Sequence, residues 1–536
     1  MSTSGASSGV VRVTTTLPAA GDELRGVAKS LVAKDADLWG PDARSEAAIR
    51  LGWLDLPESS QALLPQLRAL HERFTAAGLD HVVLAGMGGS SLAPEVITRT
   101  AGAELTVLDS TDPHQVGAAL THQLDRTVVV ISSKSGGTVE TDSHMRAFAH
   151  AFLDAGIDPK QRIVIVTDPG SPLEAVAREA GEEVVLADPN VGGRYSALSA
   201  FGLTPSLLAG ADVERLLADA RVLAGSLGDD EDNPGLELGA ALGNGAEAGR
   251  DKLVIADNGS GIVGFGDWAE QLVAESTGKH GKGILPVVVE GIDAPGFVEA
   301  RPDTHRVVIG TAPSGLDGTA VSGSLGAQFL LWEYATAVAG KLLGINPFDQ
   351  PNVTESKDNT KRILEEAGDG PLPEGEPALV DGDIEVYADL ASLGGPQSLA
   401  DVLSALLERV PDRGYLAVMA YLDRHGESAA AGLRPRLARR LDGRATTFGW
   451  APRFLHSTGQ FHKGGPQDGV FLQITGAVER DVPVPGRPYT FGRLQMAQAL
   501  GDLGALVERE RPAVRLHLRN RAAGLQQLLA ASEGTA

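Results

Sequence analysis

Short runs of unbroken hydrophobicity constrain this chain more than any other feature. HVVLAG (81–86), LTVLDS (105–110), TVVVISS (127–133), RIVIVTD (162–168) and EEVVLAD (182–188) read as strands. So do KLVIAD (252–257), ILPVVVEG (284–291) and RVVIGT (306–311). A strand with one wet face alternates apolar and polar residues, whereas a strand covered on both faces is apolar throughout. Cover on both faces comes from crossover helices, so the expected fold class is α/β with parallel sheets flanked by helices. Apolar spacing in LPQLRALHERFTAAG makes 22–78 helical, and a long helix is expected near 323–343. The expected organisation is a mobile and helical segment at 1–80, two α/β subdomains at 81–220 and 221–364, and an additional C-terminal α/β unit at 379–536. IEVYAD, YLAVMAYL and VFLQITG supply strands to that last unit, and the acidic, Pro/Gly-rich stretch 365–378 reads as a flexible linker.

Composition narrows the function. The 536 residues are 43% hydrophobic and carry a net charge of −24, so a sizeable core forms but phosphate backbones and anionic membranes are repelled. Nucleic acid and membrane are therefore not expected partners. The chain has no cysteine, which removes disulfides, thiolate nucleophiles and Cys-ligated metals. Residues 1–20 are Ser/Thr/Gly-rich, read as mobile, and lack the charged start and apolar stretch of a secretory signal. The most apolar stretch, near 330–345, is broken by Glu333 and Lys341. A cytoplasmic protein is expected.

Some motifs mislead. Gly259, Gly261 and Gly264 form a GxGxxG after a strand, but a lone match is weak in a chain with 66 glycines. His456 and His462 lie close together without a nearby third ligand, which argues poorly for zinc. Two loops say more. Gly86-Met87-Gly88-Gly89-Ser90-Ser91 follows one strand, and Ser132-Ser133-Lys134-Ser135-Gly136-Gly137-Thr138 follows another and leads into a helix. Small residues let backbone N–H groups approach an anion, hydroxyls add donors, and a helix N-terminus adds positive potential. Together they point to a phosphate monoester.

These residues resemble the sugar isomerase (SIS) fold and, more narrowly, the glucose-6-phosphate isomerase family. GMGGSSLAP (86–94), SSKSGGTVET (132–141), DPNVGGRYSALSAFGL (188–203), WAEQLVAESTGKHGKG (268–283) and LLGINPFDQPNVTESK (342–357) are similar to its signatures, in the expected order. The resemblance implies aldose–ketose isomerisation of glucose 6-phosphate and fructose 6-phosphate, with no cofactor and no metal. It implies Glu275 as the base shuttling a proton between C1 and C2, and Arg194 as stabiliser of the enediolate. Lys357 would act at the ring oxygen. Ser90, Ser133, Lys134, Ser135 and Thr138 would hold the phosphate, with Gly88, Gly89 and Gly193 against the substrate.

The chain also departs from the family pattern. The segment expected to carry the ring-opening histidine, Leu455-His456-Ser457-Thr458-Gly459-Gln460-Phe461, lies after the lysine signature rather than between glutamate and lysine. That order is similar to the isomerase part of transaldolase–glucose-6-phosphate isomerase fusions. It implies that His456 is delivered within one chain, and a monomer or a homodimer is compatible with it. Mannose 6-phosphate as a second substrate and a non-catalytic sugar-phosphate sensor are the alternatives. A sensor has no need of a proton-transfer base such as Glu275.

Overall fold

The computed structural model describes residues 10–18, 21–299 and 301–534, and most of the N-terminal segment read as mobile lies outside them. Its strands, in chain order, are β1 (Arg12–Thr15), β2 (His81–Gly86), β3 (Thr106–Leu108), β4 (Thr127–Ser132), β5 (Ile163–Thr167), β6 (Glu183–Leu186), β7 (Lys252–Asn258), β8 (Leu285–Val288), β9 (Thr304–Gly310) and β10 (Gly318–Ser322). Then come β11 (Leu379–Asp381), β12 (Ile384–Tyr387), β13 (Tyr415–Tyr421), β14 (Ala445–Trp450), β15 (Gly469–Gly476) and β16 (Ala513–Leu518). They form three sheets, ordered β3-β2-β4-β5-β6, β1-β10-β9-β7-β8 and β11-β12-β16-β15-β13-β14.

The first sheet is parallel throughout, and β2, β4 and β5 are buried along their whole length, as continuous hydrophobicity requires. In register, Gly86 stands beside Ser132, so the two small-residue loops leave the sheet side by side at its carboxyl edge. That edge is where open α/β sheets bind ligands. The second sheet is parallel except at its edge, where β1 runs antiparallel to β10. The strand Arg12–Thr15 is therefore a correction to the reading of 1–20 as mobile. Val13 is buried there, and the Thr15 and Thr319 hydroxyls bond at 2.8 Å. In the third sheet β13, β14, β15 and β16 are parallel.

The stretch 365–378 also differs from expectation. The helix Val353–Ala367 runs into it, and the carbonyls of Gly368 and Glu374 each accept a guanidinium N–H at 2.7 Å, from Arg493 and Arg515. Charged composition concealed these contacts, because the acceptors are backbone carbonyls. The C-terminal unit shares its core with both other sheets. Phe454, Phe461 and Phe471 pack with Val254, Leu285 and Phe297, while Val484 and Phe491 pack with Val129, Ile131 and Phe148. Among the described residues no helix is long and apolar enough to cross a membrane.

One buried cation joins the units. Arg453, from the C-terminal unit, donates to Asp109 at 2.5 Å and to Glu95, both in the first unit. Burial pushes the Glu95 carboxyl up, but Arg453 and Arg424 beside it win and hold it down to about 2. A depressed carboxyl stabilises the fold above its unfolded value of ~4.3, and the contribution is lost as pH falls towards the folded value. Stability should therefore decline as pH drops from ~4.3 to about 2. Arg453→Met leaves the buried Asp109 carboxylate without its cation, while Glu95 keeps Arg424, and should cost about 3–5 kcal/mol in urea unfolding at neutral pH.

Candidate functional site

The loop after β4 closes on itself before the helix Val139–Asp154 begins. Ser133 Oγ accepts the Gly136 amide at 3.1 Å and donates to Thr138 Oγ1 at 3.3 Å, and Ser135 Oγ accepts the Gly137 amide at 3.2 Å. Gly136 has φ +72°, a left-handed conformation that glycine adopts without strain. Thr138 occupies the N-cap position, and its side chain accepts no hydrogen bond from the helix amides. Those N–H groups therefore keep their positive potential for another acceptor.

This helix start opens into a cavity of about 660 Å³. Ser135, Gly136, Gly137 and Thr138 form one wall, Ser356 and Lys357 another, and Leu455, His456 and Lys463 a third. Tyr489 and the guanidinium-bearing Arg487 and Arg493 complete it. His456 Nε2 lies 3.0 Å from Glu140 Oε1, and Gln498 Nε2 donates to the same oxygen at 2.7 Å. Glu140 is buried. Burial pushes its carboxyl up, but His456, a backbone N–H and Lys357 bring it down to about 2. Glu140 is thus an anion at neutral pH, oriented to hold the His456 ring. Its place in the segment Val139-Glu140-Thr141 read only as helix, since nothing local distinguishes it from a surface glutamate.

Glu275, on the helix Phe265–Thr277, and Arg194 are not among the residues lining that cavity. They adjoin it through Gln271, whose amide donates to Glu275 Oε2 at 3.0 Å and to the His456 carbonyl at 2.8 Å. Arg194 Nη1 stands 3.4 Å from Glu275 Oε1. The guanidinium is 4% exposed and held from every side, so it is a fixed charge. It donates to Ser276 Oγ at 2.8 Å, to Gln350 at 2.9 Å, and to the carbonyls of Pro347 and Asp349 at 2.7 and 3.0 Å. Lys279 fixes the same turn from below, reaching the Asn346 carbonyl at 2.7 Å and the Asp349 carboxylate at 2.6 Å. Burial and the neighbouring Arg194 pull the Lys279 ammonium down to about 8 against the attraction of Asp349.

The glycines matter where chains touch. Gly88 has φ +54°, and a Cβ there would sit 2.6 Å from the Gln271 amide and 3.0 Å from the His456 carbonyl. A Cβ on Gly89 would overlap the Gly193 carbonyl, so the first loop and the arginine turn meet backbone to backbone. Two other expectations are placed elsewhere. Lys134 turns away from the cavity and is taken by the Asp168 carboxylate and the Pro189 carbonyl. Ser90 does not line the cavity, and its amide donates to the Met87 carbonyl at 3.1 Å. Gly259, of the GxGxxG, gives its amide to the Asp257 carboxylate at 3.1 Å, so a carboxylate already occupies the place a dinucleotide phosphate would need. His456 faces Glu140, and His462 is buried among Tyr415, Phe454 and Phe471, so the two rings do not form a metal pair. Among the described residues no group of three or more His, Cys, Asp or Glu is placed to hold a metal ion.

Comparison with known proteins bears on the family. A family model described as phosphoglucose isomerase matches residues 58–230, which contain both small-residue loops and Arg194. A glucose-6-phosphate isomerase of Rubrobacter xylanophilus is 30% identical over 379 residues, covering 57% of this chain and 87% of that protein. The chain belongs to the phosphoglucose isomerase family. A probable glucose-6-phosphate isomerase of Haloarcula marismortui is 35% identical over 215 residues, 39% of this chain and 49% of that protein, so the chain spans about half the length of that relative. A glucose-6-phosphate isomerase structure from Chlamydia trachomatis shares the fold at TM-score 0.53 and 18% identity, over 66% of this chain and 88% of that one. The close contact of Gly89 with Gly193 makes a test that needs no substrate. Gly89→Ala should lose about 1–3 kcal/mol through overpacking. Gly137→Ala, whose Cβ meets only Ser135 Oγ at 3.7 Å, should stay within ~0.5 kcal/mol in the same unfolding measurement.

Proposed function

We propose that the chain interconverts glucose 6-phosphate and fructose 6-phosphate through a cis-enediolate. The observation that carries this reading is the convergence of an uncapped helix N-terminus, Lys357 and a Glu140–His456 pair on one cavity, with Glu275 and Arg194 joined to it by Gln271. The phosphate dianion sits at the first helix amides and at the Ser135 and Thr138 hydroxyls, where charge-assisted bonds hold the far end of the sugar. His456, as the imidazolium, gives its proton to the ring oxygen as the bond from C1 to that oxygen breaks, and the C1 hydroxyl returns a proton to the imidazole, which leaves the open-chain aldehyde. Glu140 keeps the imidazole oriented and balances its positive form. Glu275 then takes the proton from C2 and returns it to C1 while the O2 hydroxyl proton passes to O1, so Glu275 is regenerated with each turnover. As that proton leaves, negative charge grows on the substrate oxygen. Arg194 meets it with a guanidinium already fixed in place, which costs no reorganisation.

The histidine and the glutamate come from one chain, since His456 and Gln271 touch within it. Two measurements test the reading. Glu275→Gln should lower isomerisation of fructose 6-phosphate by ~10²–10⁴-fold while keeping KM near the wild-type value, as removing a general base does; wild-type turnover would remove Glu275 from the mechanism. Mixing the Glu275→Gln and His456→Asn chains should restore nothing, because each site draws both groups from its own chain. Recovery of activity on mixing would place the histidine in the partner's site.

A further inference from the structure

The cavity brings together residues on two short-range neighbours that share no sheet. Lys357 is on the helix Val353–Ala367, and His456 precedes the helix Gly459–Gly464. Lys357 is exposed at the cavity wall, so what aims it is the helix beneath it. That helix is held one residue earlier. Ser356 Oγ donates to Asp502 Oδ1 at 3.1 Å, and the same oxygen lies 2.6 Å from Lys463 Nζ. Ser356, Asp502 and Lys463 are 5%, 1% and 3% exposed. Lys463 Nζ also donates to the Gly459 carbonyl at 3.3 Å, within its own helix.

An ion pair so far from water is seldom a source of stability, because desolvation offsets the attraction. What such a pair supplies is direction. Here its oxygen is shared between the lysine helix and the histidine helix. A second anchor acts one turn away. Gln460, fully buried, accepts the Asn352 amide at 2.9 Å, donates to Asn352 Oδ1 at 2.8 Å, and donates to the Gly278 carbonyl at 2.9 Å. Positions 352 and 356 lie on one face of the helix, four residues apart. Fixing both sets its rotation about its own axis, and with it the place of the next residue, Lys357, in the cavity that His456 also lines.

We infer that Asp502 is a positioning residue for the isomerisation, acting through Ser356 to set the direction of Lys357 relative to His456. The inference rests on the proposed isomerase reading, which wild-type activity on fructose 6-phosphate tests separately. Asp502 lies outside the cavity lining, and the bonds of the anchor run to Ser356, Lys463 and Gly459 rather than to the loop 135–138. Loss of the anchor therefore lowers kcat and leaves KM alone.

Three variants of the full chain decide it, each assayed with fructose 6-phosphate and followed by thermal unfolding. Ser356→Ala removes only the hydroxyl and should lower kcat about tenfold, with KM within about twofold of wild type. Lys463→Met with Asp502→Leu replaces the pair by apolar groups of similar size, a change that often preserves folding. It should lose the same factor in kcat at a similar Tm. The triple variant should be no worse than either, because all three changes cut one path. Wild-type kcat in Ser356→Ala overturns the inference, and that variant decides alone if the apolar pair fails to fold. A KM rise without a kcat loss, or losses that multiply in the triple variant, overturns it equally.

Discussion

A guanidinium buried against two carboxylates is the contact on which the arrangement of this chain depends. Arg453 leaves the C-terminal unit and ends between Asp109 and Glu95, beneath the carboxyl edge of the first sheet. Removing Arg453 strands the Asp109 carboxylate away from water, so the carboxylate is buried only when the C-terminal unit delivers its guanidinium. His456 follows three residues later, and Gly459–Gly464 immediately after that. The ion pair thus determines where a short helix lies, and that helix in turn touches Gly278, Asn352 and Asp502. Apolar packing alone is non-directional and would tolerate a shift along the interface. Charged hydrogen bonds of fixed geometry do not.

The parallel sheets were legible in the sequence because two-sided burial leaves a local mark, a run with no polar interruption, and HVVLAG and TVVVIS are strands buried at every position. The small-residue loops were legible for a similar reason, since an anion site made of backbone amides requires residues without bulk. Elements stabilised by distant partners were not. Arg12–Thr15 pairs with residues 319–322, some three hundred positions away, and its own composition reads as a mobile tail. Glu140 was missed because its significance comes from His456, whose place in the fold no local pattern reveals. Lys134 sits in a loop whose neighbours suit a phosphate, yet Asp168 at the end of the adjacent strand claims it. A motif names residue types, whereas partner choice among charges is decided by tertiary proximity.

The displaced histidine segment illustrates how topology and chemistry separate. A site needs its groups at particular points in space and is indifferent to their order along the chain. Placing the segment at 455–461 works only because the C-terminal unit lends its phenylalanines to the cores of its neighbours. A unit tethered by a flexible linker would bring the imidazole to the cavity as one conformation among many, and the entropy of ordering it would fall on every turnover. The pinned carbonyls of Gly368 and Glu374 meet part of that cost once, on folding.

Charge is the remaining constraint on the proposed reaction, in which a chain of net charge −24 would have to attract a dianion. The cavity does not solve this by excess of cations. Five cationic side chains line it against four carboxylates, and Lys463 and Arg487 are already engaged by Asp502 and Asp142. At physiological salt, charges more than ~8 Å from the phosphate are largely screened, so the acidic surface contributes little there. In the proposed site the attraction would come instead from the uncapped N–H groups of the helix that Thr138 begins, which need no side-chain ordering. The same choice suits the chemistry that follows. A lysine or arginine at the phosphate would compete with Glu140 for its negative charge. Backbone dipoles act on Glu140 as well, since it lies in the first turn of that helix, and they favour the anion that faces His456.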